Sequence, residues 1–78
     1  MDNYDRYLEE FGIRVELLYE LVESAHKKEK ELPSREDLVR IAQNDLEMNP
    51  FRAKCCVIEM ETGHMEKLMK MKYFSWQK

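Results

Sequence analysis

Residues 32–61 read LPSREDLVRIAQNDLEMNPFRAKCCVIEME, and they decide the fold class because they hold two helix starts joined by a very short link. Ser34 stands where an N-cap belongs, its hydroxyl able to accept from a free backbone N–H one turn on. Asp37 completes a Ser-x-x-Asp form of the capping box. Glu36 and Asp37 also put negative charge in the first turn, where the helix dipole favours it. Leu38, Val39, Ile41, Ala42 and Leu46 then mark one apolar face, which predicts a helix over 35–46. Asn49 is a second N-cap, and Pro50 fits the first helical position, where its missing N–H costs nothing. A second helix is expected over 50–61, with Gly63 closing it in the left-handed conformation and the Phe51–Cys55–Ile58 face turned to the core. Only Glu47 and Met48 separate Leu46 from Asn49, so the two helices must cross steeply or fold back.

Upstream, Tyr4, Leu8, Phe11, Val15, Leu18, Val22 and Ala25 recur at spacings of 4, 3, 4, 3, 4 and 3. That is an apolar seam at helical period. Ile13, Leu17 and Leu21 broaden it on one side. The pattern predicts a helix over 2–29, about 40 Å long at 1.5 Å per residue. A break at Gly12 into 2–11 and 13–29 is the alternative, since glycine costs about 1 kcal/mol inside a helix relative to alanine. A helix of this length is hard to cover with two short ones. The surplus seam implies either an intramolecular hairpin with the C-terminal segment or a homodimer through Tyr4, Leu8, Phe11, Val15, Leu18 and Val22.

Downstream of Gly63, Met65, Leu68, Met69, Lys72 and Trp76 follow helical spacing, whereas Met69, Met71 and Tyr73 alternate with lysines as a strand would. No Gly, Asn, Asp or Pro occurs there to turn a hairpin, so a last helix over 64–74 is expected. Met60, Met65, Met69 and Met71 are expected mainly to fill core space, an adaptable binding surface being the other use of such side chains. Tyr73, Phe74 and Trp76 are expected to dock on the core or on a dimer mate. The whole is an all-α chain of three or four helices, 1–78, forming a single small helical domain around a helix-turn-helix.

Composition agrees. Seventy-eight residues allow one modest core, and 44% hydrophobic residues suffice for a folded rather than a disordered chain. Two Gly and two Pro are too few for a turn-rich β fold. The longest apolar run is the four residues 55–58, which gives no membrane span and no signal peptide and points to a cytoplasmic protein. Cys55 and Cys56 are neighbours, and a disulfide between them would be strained, so reduced thiols are expected. Residues 1–49 carry a net charge of −6 and residues 50–78 a net of +3. That polarity permits DNA binding through a basic face and equally suits solvated helix faces.

No catalytic, cofactor or metal site is expected. His26, His64, Cys55 and Cys56 lack Cys-x-x-Cys or His-x-x-x-His spacing. Ser24 and His26 do not face each other on a helix. The carboxylates fall at positions read as solvent-exposed.

The stretch LPSREDL…MNPFRAKCCVIEMETG, with LLYELVESA upstream, resembles the DNA-binding domain of the GntR family of bacterial repressors over about residues 13–63. The resemblance implies a recognition helix starting at Asn49-Pro50 and DNA contacts from Arg35, Arg52 and Lys54. A two-stranded wing belongs to that fold, and here residues 64–74 read as helix instead. The expectation is a small helix-turn-helix DNA-binding regulator acting in transcription control, dimeric, with double-stranded DNA as partner. The alternative is a protein-binding regulator or inhibitor, phage- or mobile-element-like, with no nucleic-acid role.

Overall fold

The computed structural model describes residues 3–77, and the side chains of residues 6–75. It consists of helices α1 (Asn3–Lys27), α2 (Arg35–Asn44), α3 (Pro50–Gly63) and α4 (Met65–Lys70), followed by a 3-10 turn, Tyr73–Gln77. No strand occurs among the described residues, so the segment after Gly63 is helical and forms no wing. The helix starts are where local hydrogen bonding demands them. The Ser34 hydroxyl accepts from the Asp37 amide, and the Asp37 carboxylate accepts from the Ser34 amide. The Asn49 side chain accepts from the Arg52 amide, with Pro50 in the first turn. The molecule measures 41 × 24 × 22 Å. Its long axis matches α1, whose 25 residues span about 37 Å.

The core draws Val15, Leu18, Tyr19 and Val22 from α1, Leu38 and Ala42 from α2, Ala53, Cys56, Val57 and Met60 from α3, Leu68 from α4, and Tyr73. Helix α3 lies centrally and packs against both α1 and α2. Val15, Leu18 and Val22, three members of the seam assigned to a dimer, are thus buried within a single chain. Phe11 packs partly on the same core and Leu8 is half exposed, while the side chain of Tyr4 lies outside the described residues. A second copy is not needed to cover the seam. Besides Leu8, the large apolar residues that α1 leaves partly exposed are Ile13, Leu17 and Leu21, on one flank of the seam.

Helix α3 buries a different face from the one expected. Phe51 is 75% exposed, Ile58 is 54% exposed and Cys55 is half-buried. The reason is that apolar residues surround this helix, so its period carries little directional information. The methionines divide: Met60 is buried, Met71 is half-buried against the core, and Met65 and Met69 face solvent. Tyr73 is buried and Phe74 packs against the core, whereas the Trp76 side chain lies outside the described residues.

Gly12 does not break α1, and Gly63 does not take the left-handed cap expected of it. Helix α1 runs through Gly12 unbroken, and a Cβ there would meet nothing within 4 Å. Gly63 stays inside α3, and the left-handed conformations fall on Glu29 (φ 57°), Glu47 (φ 56°) and Lys72 (φ 64°). Glu29 closes α1 in a Schellman arrangement, its amide donating to the His26 carbonyl and that of Lys30 to Ala25. Glu47 turns the chain between α2 and α3, where the Met48 amide donates back to the Ala42 carbonyl. Non-glycine residues in this region carry about 1 kcal/mol of strain each.

Two opposite substitutions are therefore expected to stabilise the protein. Gly12→Ala and Glu47→Gly should each add about 1 kcal/mol, while Ser34→Ala and Asn49→Ala should each remove about 1 kcal/mol. Urea denaturation midpoints of the four variants check this, and a loss in Gly12→Ala would show that α1 is not a regular helix at that position.

Candidate functional site

One carboxylate enters the core. Glu61 lies on α3 and is 4% exposed. Arg35, the first residue of α2, holds it with two hydrogen bonds: Nε donates to Oε2 at 3.0 Å and Nη2 to Oε1 at 2.6 Å. The Tyr73 hydroxyl donates to Oε2 at 2.9 Å. This paired geometry suits a planar guanidinium and satisfies both carboxylate oxygens. Burial and the bond to Glu61 push the Tyr73 hydroxyl well above its ordinary range, and the bond to Glu61 likewise raises the Arg35 guanidinium. Glu61 corrects the expectation that every carboxylate would face solvent.

A second polar cluster ties α1 to the α3–α4 junction. His64 Nε2 lies 2.9 Å from Glu16 Oε2, and its ring stacks on Tyr19 with centroids 3.9 Å apart. Burial raises the Tyr19 hydroxyl, which is inaccessible to solvent. Cys56 is buried too, and desolvation lifts its thiol to about 11. Both cysteines are free, and among the described residues no three His, Cys, Asp or Glu side chains converge on a common ion position. Nor is any helix among them long and apolar enough to cross a membrane.

The three cations expected to contact DNA do not share one surface. Arg35 and Lys54 line a groove of about 480 Å³ between α2 and α3. Arg52 is on the other side of α3, its guanidinium 4.7 Å above the Tyr7 ring of α1. Two residues along a helix rotate the side chain by about 200°, which is why neighbours in sequence diverge here. Arg40, which sequence reasoning passed over, joins Arg35 and Lys54 at the groove, and Val39 and Ile58 give it an apolar floor. Arg40 also bonds Asp37 at 3.1 Å in an exposed pair. The bonds Asp37 accepts, first from the Ser34 backbone and then from Arg40, hold its carboxyl below the usual range. Such exposed pairs contribute at most about 1 kcal/mol, so Arg40 can exchange its carboxylate partner. Glu36 is the one acid on the groove wall among the described residues.

No family model, curated protein or solved structure matches this chain.

The clasp is expected to behave as a unit. Arg35→Met should cost about 2–3 kcal/mol, the low end for a buried pair because the Arg35 side chain is 44% exposed. In a Glu61→Leu background the same change should cost under about 1 kcal/mol, since no stranded carboxylate remains. A double-mutant cycle by urea denaturation measures this; equal costs in the two backgrounds would dissolve the unit.

Stability should also fall in alkali. The folded Cys56 thiol gives up its proton at about 11 rather than 9.0, so the unfolded chain deprotonates first. Its contribution is complete below pH 9 and is lost as pH rises towards 11. Tyr73 and Tyr19, both raised above 10.0, steepen the loss beyond that pH. Denaturation at pH 8 to 11 should show the decline, and Cys56→Ala should flatten its first part.

Proposed function

We propose that this chain is a protein-binding regulator that captures an apolar, acidic helical segment in the groove between α2 and α3. The observation that carries the reading is the character of the outer side of α3. A helix that reads base edges needs polar donors there, yet α3 exposes Phe51 at 75% and Ile58 at 54%. Ile58, gathered with Val39 beside Arg40 and Lys54, makes an amphipathic seat. Helix-in-groove recognition uses this combination, apolar anchors at helical spacing with charges of opposite sign at the rim. Three cations against one acid on the groove wall support the sign of the partner.

A second reading is DNA binding, favoured by the clustering of Arg35, Arg40 and Lys54 at one groove. It requires the carboxylates of α1 to face away from the duplex. It also predicts steep salt dependence, about a thousandfold between 50 and 200 mM for roughly six phosphate contacts in a dimer.

Fluorescence anisotropy separates the two. The probes are a synthetic helical peptide with leucines at i, i+4 and i+8 and glutamates between them, and a mixed-sequence DNA duplex. The peptide is expected to bind, and Ile58→Ala to weaken it about tenfold through lost apolar burial. Arg40→Ala with Lys54→Ala should weaken it further at low salt. Duplex binding that survives Ile58→Ala but is abolished by Arg40→Ala with Lys54→Ala would instead establish the DNA reading.

A further inference from the structure

We propose that a second copy of this chain occupies the α2–α3 groove, seating in it the acidic patch where α1 meets the α2–α3 turn, and that the two copies do so reciprocally. This rests on the reading that the groove binds an apolar, acidic segment, and it names that segment.

The patch is the groove's counterpart in charge. Ile13, Leu17 and Leu46 form its apolar floor, and Glu10, Asp45 and Glu47 supply the acids. Arg14, the one cation on its wall among the described residues, lies 3.8 Å from Glu10 in an i,i+4 pair. The volume is about 350 Å³. The groove holds three cations and one acid; the patch holds three acids and one cation. Each has an apolar floor, and both are shallow.

The apolar side of the patch continues along α1. Ile13, Leu17 and Leu21 are 56%, 41% and 42% exposed, and their spacing of four residues places them in one row. That row flanks the buried seam of Val15, Leu18 and Val22, and Leu46 borders its Ile13–Leu17 end. Glu20 is exposed beside it. The row with its acids has the character of ligand that the groove selects.

Sign then determines how two copies meet. Groove against groove would oppose cations, and patch against patch would oppose acids; like charges brought together at an interface cost several kcal/mol. Groove against patch pairs both. A two-fold axis makes this contact twice and closes the assembly at a dimer, whereas a single contact would propagate into an open chain. This dimer uses the outer face of α1 and leaves the seam in each protomer's own core.

Light scattering on the full chain tests the proposal. Wild type at low salt and high concentration should show twice the monomer mass and shift towards monomer as salt rises. The groove variant Arg40→Glu with Lys54→Glu should be monomeric. So should the patch variant Asp45→Lys with Glu47→Lys, whose lysines suit the C-terminal end of α2 and spare the fold. An equimolar mixture of the two should recover the dimer mass, as should one chain carrying all four substitutions, which unfolded variants would fail to do. A wild-type monomer at every concentration overturns the proposal; if it still binds the leucine–glutamate peptide, the groove reading stands without it. A dimer that survives both charge reversals overturns it as well, and mass that climbs beyond two copies overturns the reciprocal closure.

Discussion

Glu61 brings a carboxylate to the inner face of α3, and the arrangement of two other segments depends on how that charge is met. Leaving it unpaired would cost several kcal/mol. Arg35 must therefore stand at the start of α2, within reach, and Tyr73 must return from the C-terminal turn to give a third hydrogen bond. The beginning of α2, the end of α3 and the chain's last turn are held at one point. Tyr73 contributes an apolar ring to the core and a hydroxyl to the clasp, so polar satisfaction and hydrophobic burial act together there.

The same geometry shapes the surface. With Ala53, Cys56, Val57 and Met60 inward, α3 approaches α1 and α2 through mostly small side chains. Two of its large apolar residues, Phe51 and Ile58, are left on the outside. Ile58 then meets Val39 across the α2–α3 groove, with Arg40 and Lys54 at its rim. Arg35 is shared between the two systems: it lines the groove and holds Glu61. A partner in the groove would therefore press on the residue that orders α2 and the C-terminal turn, which couples occupancy to stability.

The helix starts could be read from local chemistry. Ser34 with Asp37, and Asn49 with Pro50, satisfy free backbone N–H groups within one turn, and no distant residue enters that requirement. The inner face of α1 was legible for a similar reason: its seam lies among charged residues, so the period has direction. The candidate site was only partly legible. Arg35 and Lys54 were singled out as charges on a helix-turn-helix and do share a groove. Arg40, Val39 and Ile58 were missed because they become neighbours only when α2 and α3 cross. Glu61 had one available signal, a carboxylate four residues beyond Val57 on a helix with apolar residues on several sides.

By itself the sequence determined the element types, their order and the two capped starts, because these follow from spacings of one to four residues. Tertiary structure overturned the C-cap expected of Gly63, which stays inside α3. Tertiary structure decided which side of α3 is inner, that Arg52 faces α1 while Lys54 faces α2, and that Glu47 takes the left-handed turn. Those outcomes hinge on a crossing of helices whose side chains compete for one core. A helix with apolar residues on several sides shows no single inner face in its sequence, and the meeting of Glu61 with Arg35 and Tyr73 spans 26 residues in one direction and 12 in the other.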